Sequence, residues 1–171
     1  MTARRARAVL VSLFVAAGLS VCGAAADAST VSQQNALRDA KQYLQSGSFS
    51  LKGLIAQVKY DGFSTADATY GATHAGANWN KEAVGDAKQY LQTGAFSLKG
   101  LIGQLEYDGF TRSQAGYGVA NSNGNWDKEA AKDAREYVKQ QAFSASGLVG
   151  QLEYDGFTAS QAEFGAKAVG L

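Results

Sequence analysis

The chain contains no proline, one cysteine, one histidine and one methionine. Absence of proline, with modest β-branched content, favours helices over a sheet. A single cysteine, Cys22, excludes any disulfide within the chain. The single histidine, His74, lies in a linker with no carboxylate or thiol motif beside it, so neither a metal site nor a Ser-His triad assembles around it. No Gly-rich phosphate loop is present, and no cofactor is called for. Beyond Thr30 no run is long and apolar enough to cross a bilayer, which takes about 20 residues. Positive charge is scarce as well. Residues 1–26 hold three of the 16 Lys and Arg and none of the 15 Asp and Glu, leaving 13 basic against 15 acidic, a formal charge of −2. A nucleic-acid-binding protein carries a basic footprint, and this chain has none.

The beginning of the chain sets its compartment. Arg4, Arg5 and Arg7 precede an apolar run from Ala8 to Leu19, followed by Gly23, Ala24, Ala25 and Ala26. Basic n-region, short h-region and small-residue cleavage site make residues 1–26 a secretory signal peptide, followed by a linker over 27–35. Export places the mature chain outside the cytoplasm, either on the cell surface through a lipid anchor or released. Leu19-Ser20-Val21-Cys22 resembles a bacterial lipobox, in which Cys22 becomes the lipid-modified first residue. Val21 departs from the small residue usual before that cysteine. Ala24-Ala25-Ala26 and Ala26-Asp27-Ala28 offer ordinary cuts that would discard Cys22.

Self-comparison defines the architecture. Phe49, Phe96 and Phe143 stand 47 residues apart, as do Tyr60, Tyr107 and Tyr154, and Phe63, Phe110 and Phe157. Residues 36–72 match 83–119 at 24 of 37 positions, so the copies share one chemistry. The repeats are 36–72, 79–119 and 126–166, joined by linkers of Gly, Ala, Asn and Ser character. In the second copy Trp79, Ala83, Ala87, Tyr90 and Leu91 share one helix face, which Gly94 ends. Ser97 caps a second helix with core face Leu98, Leu101, Ile102 and Leu105. Thr111 and Gln114 open a third with a capping box, a device expected again at Ser64 with Asp67 and at Thr158 with Gln161. The fold expected is all-α: three tandem three-helix repeats, nine helices in all, each with a helix-turn-helix connectivity. A unit of about 40 residues is near the lower limit for independent folding, so neighbours should lean on one another. Trp79 and Trp126 precede copies two and three, where the first copy has Ser32, and are placed to pack across the junctions.

One pattern on the second helix stands out. Gly100, Gln104 and Tyr107 fall on the side away from the leucines, and Gly53, Gln57 and Tyr60 repeat this, as do Gly147, Gln151 and Tyr154. Mid-helix glycine costs about 1 kcal/mol against alanine, so a close approach to the backbone is expected there. Two readings stand: the first helix of the same unit packs on the stripe, or a partner does, with Gln57, Tyr60, Gln104, Tyr107, Gln151 and Tyr154 as contact residues. Glu106 with Asp108 and Glu153 with Asp155 could suggest a hydrolytic carboxylate pair, but copy one has Lys59 at the first position, and turn chemistry explains the aspartate better. The third helices carry one basic residue, Arg112, which argues against DNA reading.

From Ala87 to Thr111 the run Ala-Lys-Gln-Tyr-Leu, Phe-Ser-Leu-Lys-Gly-Leu-Ile and Gln-Leu-Glu-Tyr-Asp-Gly-Phe-Thr resembles the Ltp-like helix-turn-helix region of host cell surface-exposed lipoproteins, and the resemblance covers residues 36–166. It implies a lipoprotein on the outer face of a Gram-positive-type membrane. Phage-encoded members are linked to superinfection exclusion, in which DNA injection by a second phage is blocked. The expectation is a non-enzymatic cell-surface binding protein with a proteinaceous partner, a phage tail or injection component, no nucleic acid, and membrane contact only through an N-terminal lipid. A wall-associated structural or polymer-binding module is the alternative.

Overall fold

Hydroxyl and amide side chains decide where the helices begin. The computed structural model describes residues 29–171, and its elements are α1 (Val31–Ser46), α2 (Leu51–Tyr60), α3 (Thr65–His74), α4 (Trp79–Thr93), α5 (Leu98–Tyr107), α6 (Arg112–Ala120), α7 (Trp126–Gln140), α8 (Ala145–Tyr154) and α9 (Ala159–Lys167). The signal segment and Cys22 lie outside the described residues. Ser50, Ser97 and Ser144 cap the second helix of each repeat by accepting the amide three residues on, and Asn78 and Asn125 do the same for α4 and α7. Thr111 with Gln114 and Thr158 with Gln161 form reciprocal capping boxes. Ser64 does not complete one. The Asp67 carboxylate instead accepts from the hydroxyls of Ser64 and Ser32, at 2.8 and 2.7 Å. Ser32 thus ties α1 to α3 in the one repeat that has no tryptophan there. A further box, Thr30 with Gln33, starts α1 five residues ahead of the boundary expected at 36.

Within a repeat the first and third helices cross in close contact, and the second lies against the third. The crossing depends on small residues. A Cβ placed on Gly118 would stand 2.6 Å from the Ala83 carbonyl oxygen, and one on Gly71 or Gly165 would stand 2.6 or 2.8 Å from that of Ala36 or Ala130. The middle repeat buries Ala83, Ala87, Leu101, Leu105, Phe110, Ala115 and Val119. Leu98, expected on the core face, is 43% exposed and lies outside the core cluster of its repeat. The turn from second to third helix passes through Gly62, Gly109 and Gly156 at φ of 95–96°, a conformation that only glycine adopts without strain.

Each repeat holds the next through similar contacts, with one lysine added at the second junction. Trp79 packs on the core of the first repeat and Trp126 on that of the second. The Glu82 carboxylate accepts from the amide of Phe49 in the loop ahead of it, at 3.4 Å, and Glu129 holds the equivalent place near Phe96. Lys132 donates to the Leu91 carbonyl at 3.0 Å, and to that of Gly94.

Gly118→Ala drives a methyl group into backbone, and we expect a loss of about 1–3 kcal/mol, the usual size of overpacking. Gly116, two residues away on the same helix, has open space at the Cβ position. Gly116→Ala should therefore leave stability unchanged or raise it by up to about 1 kcal/mol. Paired thermal melts read both; equal effects would show that the α4–α6 contact is looser than described.

Candidate interaction face

The glycine, glutamine and tyrosine of the second helix prove to have three different surroundings. Ser97 Oγ accepts from the Gly100 amide at 2.9 Å and donates to the Asp155 carbonyl of the next repeat at 2.6 Å. Ser50 makes the same pair of bonds to Gly53 and to the Asp108 carbonyl. A Cβ on Gly100 would stand 3.0 Å from Ser97 Oγ and 3.7 Å from the Asp155 oxygen. The glycine thus lies against its own capping serine and, in the first two repeats, beside the turn of the next repeat, and not against the first helix of its own unit, where the wheel had placed its partner.

The glutamine belongs to a polar network with the first helix. Tyr90 Oη donates to Asp108 Oδ2 at 2.9 Å, while Gln104 Nε2 donates to Tyr90 Oη and Asp108 Oδ1, each at 3.2 Å. Tyr137, Asp155 and Gln151 repeat this at 2.9, 3.1 and 3.2 Å. In the first repeat Tyr43 donates to Asp61 and accepts from Gln57. Burial and the carboxylate beside it raise the Tyr90 and Tyr137 hydroxyls above their ordinary value, which keeps them protonated as donors. Each ring also meets a phenylalanine edge to face: Tyr90 and Phe96 lie 5.3 Å apart at 73°. Gln57, Gln104 and Gln151 are half-buried and spend their amides here.

The tyrosines end each second helix in solvent. Tyr60, Tyr107 and Tyr154 are 86, 84 and 86% exposed. One turn earlier stand Ala56, Gly103 and Gly150; nothing lies within 4 Å of a Cβ at either glycine, so the ring's approach is clear. Lys59, Glu106 and Glu153 beside them are also exposed, and Glu106 is thereby separated from Asp108, which serves the network. His74 stacks on Tyr70 at 4.0 Å, with Nδ1 2.8 Å from the Tyr70 carbonyl oxygen. Among the described residues no three His, Cys, Asp or Glu side chains converge as metal ligands, and no helix is long and apolar enough to cross a membrane.

Two sets of acids escaped the sequence reading. Glu82 and Glu129 clamp the preceding loops, and burial raises both above the usual carboxyl range. Asp39, Asp86 and Asp133 sit beside the network aspartates. Burial, then the charge of Asp108 or Asp155, pushes Asp86 and Asp133 up to about 6, and Asp39 shifts in the same direction beside Asp61. The signal that could have found the second set is the same period of 47.

Family profiles place this geometry. That of the host cell surface-exposed lipoproteins of Ltp type matches residues 32–74, 78–121 and 125–169, one match per repeat. The chain belongs to this family, whose description places it at the cell surface, outside the cytoplasm. Among solved structures it is similar to that of Ltp, a superinfection exclusion protein from the Streptococcus thermophilus temperate phage TP-J34. Identity is 29%, the match spans 53% of this chain and 95% of that one, and the TM-score is 0.51. Among curated proteins none matches.

The two kinds of tyrosine separate by experiment. Tyr90→Phe strips the donor from Asp108 and the acceptor from Gln104 in a half-buried site, and we expect about 1–2 kcal/mol of destabilisation. Tyr107→Ala touches a side chain in solvent and should stay within about 0.5 kcal/mol. Denaturant midpoints measure both; a Tyr107→Ala loss as large as that of Tyr90→Phe would place Tyr107 in the fold's own packing.

Proposed function

We propose that the protein is a cell-surface binding module acting in superinfection exclusion, and that Tyr60, Tyr107 and Tyr154 form its contact face for a protein of the injection apparatus of an incoming phage. The observation that carries this reading is three tyrosines at equivalent positions, each more than four-fifths exposed. Exposed tyrosine costs little conformational entropy to order and is enriched in binding hot spots. Gln57, Gln104 and Gln151 support the face from beneath, by fixing the helix that carries each ring against its neighbour. Likeness to a phage superinfection exclusion protein supports the choice of a phage component as partner. Held in one chain, three weak contacts sum to useful avidity. Anchoring through a lipid on Cys22 agrees with the family description and would hold the repeats where an arriving phage acts.

The test is expression of the full chain in a phage-sensitive host, with plating efficiency scored for the wild type and for Tyr60→Ala/Tyr107→Ala/Tyr154→Ala. Each truncated hot spot costs more than about 1 kcal/mol, so the triple variant should lose protection while its surface level and melting temperature hold. Protection undiminished in a stably folded triple variant would remove the tyrosines from the contact. A wild type that protects against no phage, yet sediments with purified cell wall, would move the function to wall binding.

A further inference from the structure

Lysines gather at both linkers of a chain whose formal charge beyond residue 26 is −2. At the first linker, Lys41 of α1 and Lys81 of α4 line one open cleft of about 470 Å³, together with Leu44, Gln45, Asn78 and Glu82. At the second, Lys88 of α4 and Lys128 of α7 line a cleft of about 410 Å³ with Leu91, Gln92, Asn125 and Glu129. The linkers differ in sequence, Ala75-Gly76-Ala77 against Ser122-Asn123-Gly124, yet Gly76 and Asn123 stand 47 apart and both take positive φ, 79 and 62°. Different residues thus make a similar turn between the same charges. Each cleft takes one lysine from each of two repeats, and contacts across the junction hold those repeats in place. Trp79 packs on the first core and Glu82 accepts from the Phe49 amide at 3.4 Å, while Trp126 packs on the second core and Lys132 donates to the Leu91 carbonyl at 3.0 Å.

All four lysines are exposed, and the ion pairs among the described residues, Lys132 with Glu129, Lys139 with Glu136 and Lys167 with Glu163, involve none of them. The glutamate in each cleft is engaged elsewhere: Glu82 receives the Phe49 amide, and Glu129 stands 3.8 Å from Lys132. Asn78 and Asn125 accept the Lys81 and Lys128 amides through Oδ1, at 3.1 and 3.0 Å, which leaves their amide protons as donors. Helix stability does not account for Lys81 and Lys128. Both lie in the first turn of their helix, where the macrodipole disfavours a cation.

We propose that each cleft is a subsite for a phosphodiester group of an anionic polymer at the cell surface, a polyol phosphate, and that the two clefts engage one polymer chain together. An ammonium is a compact point charge whose three donors rotate, so it meets a tetrahedral phosphate from any side; a planar carboxylate is better matched by the fork of an arginine, and neither cleft has one. One exposed pair of charges binds weakly. Two clefts in one chain act together on a polymer, which a single phosphate cannot exploit. A nucleic acid would call for a continuous basic stripe, and two separate lysine pairs on an acidic chain do not form one. The family description puts the chain at the cell surface, where an envelope polymer is met. The clefts lie at the first helices and linkers, whereas Tyr60, Tyr107 and Tyr154 end the second helices, so the subsites hold whichever partner those tyrosines meet.

Binding of the full mature chain to immobilised poly(glycerol phosphate) is measured at physiological ionic strength, beside immobilised polyglutamate and vesicles of phosphatidylglycerol. The wild type should bind the polyol phosphate more tightly than either, and added salt should weaken the binding. Lys41→Gln/Lys81→Gln/Lys88→Gln/Lys128→Gln should lose about tenfold or more in affinity, the sum of four exposed charge contacts, at an unchanged melting temperature. Lys52→Gln/Lys59→Gln/Lys99→Gln/Lys139→Gln removes the same charge away from the clefts and should stay within about twofold, because distant charges are screened. Should the first variant melt early, Lys41→Gln/Lys88→Gln, which leaves the first turns of α4 and α7 intact, takes its place with an expected loss of about threefold. No binding by the wild type, equal loss in the cleft and control variants, or binding to polyglutamate or to the vesicles as tight as to the polyol phosphate would overturn the proposal.

Discussion

A serine oxygen at the start of the second helix does two jobs at once in the first two repeats. Ser97 receives the Gly100 amide of its own helix and gives its proton to the Asp155 carbonyl of the next repeat, and Ser50 does so for Gly53 and Asp108. Both serines are 2% exposed, so neither bond competes with water, and loss of either partner would strand a buried polar group. Much of the arrangement follows from this. The glycine at the third helical position leaves room beside the serine, with the carbonyl of the neighbouring turn 3.6 or 3.7 Å from where a Cβ would stand. The turn that supplies the carbonyl also supplies the aspartate that accepts from Tyr90 or Tyr137, so the bond that joins repeats and the network that braces each repeat share one residue. Cores made largely of alanine, with two leucines each in the later repeats, bury little apolar surface, and such contacts between neighbours supply what the small units lack.

Architecture was legible because repetition multiplied each signal. Three phenylalanines and three tyrosines at a period of 47 fix the unit, and serine, threonine and asparagine caps fix most helix starts, since a cap needs only local backbone. The candidate face was legible only in part. The helical wheel separated Gly100, Gln104 and Tyr107 from the leucines, but it carries no information about what lies beyond one helix. It therefore could not show that the glycine meets the next repeat, the glutamine the first helix, and the tyrosine only solvent. Leu98 failed for the same reason: a residue on the apolar stripe is buried only if a neighbour reaches it. The acids Asp86 and Asp133 went unread because an aspartate on a helix is ordinarily a solvated one; burial, with the Asp108 or Asp155 carboxylate nearby, makes these two unusual.

The same division of labour separates two sets of tyrosines. Half-buried tyrosines, Tyr43, Tyr90 and Tyr137, spend their hydroxyls inside the repeat, whereas Tyr60, Tyr107 and Tyr154 keep theirs free. What the scaffold supplies is spacing: one exposed ring per repeat, with the starts of α2 and α5 pinned across the junctions. A binding face of this kind gains from stiffness, because each ring that is already in place lowers the ordering cost of the next contact.

Coupling between repeats is the claim on which this account stands, and differential scanning calorimetry of the full mature chain at pH 5.5 tests it most directly. Repeats that fold only by leaning on one another melt as one unit, with a calorimetric enthalpy equal to the van't Hoff enthalpy. Three independent domains would instead give a van't Hoff enthalpy of about one third of the calorimetric value, and that result would contradict the role assigned to the serine and glutamate bonds across the junctions.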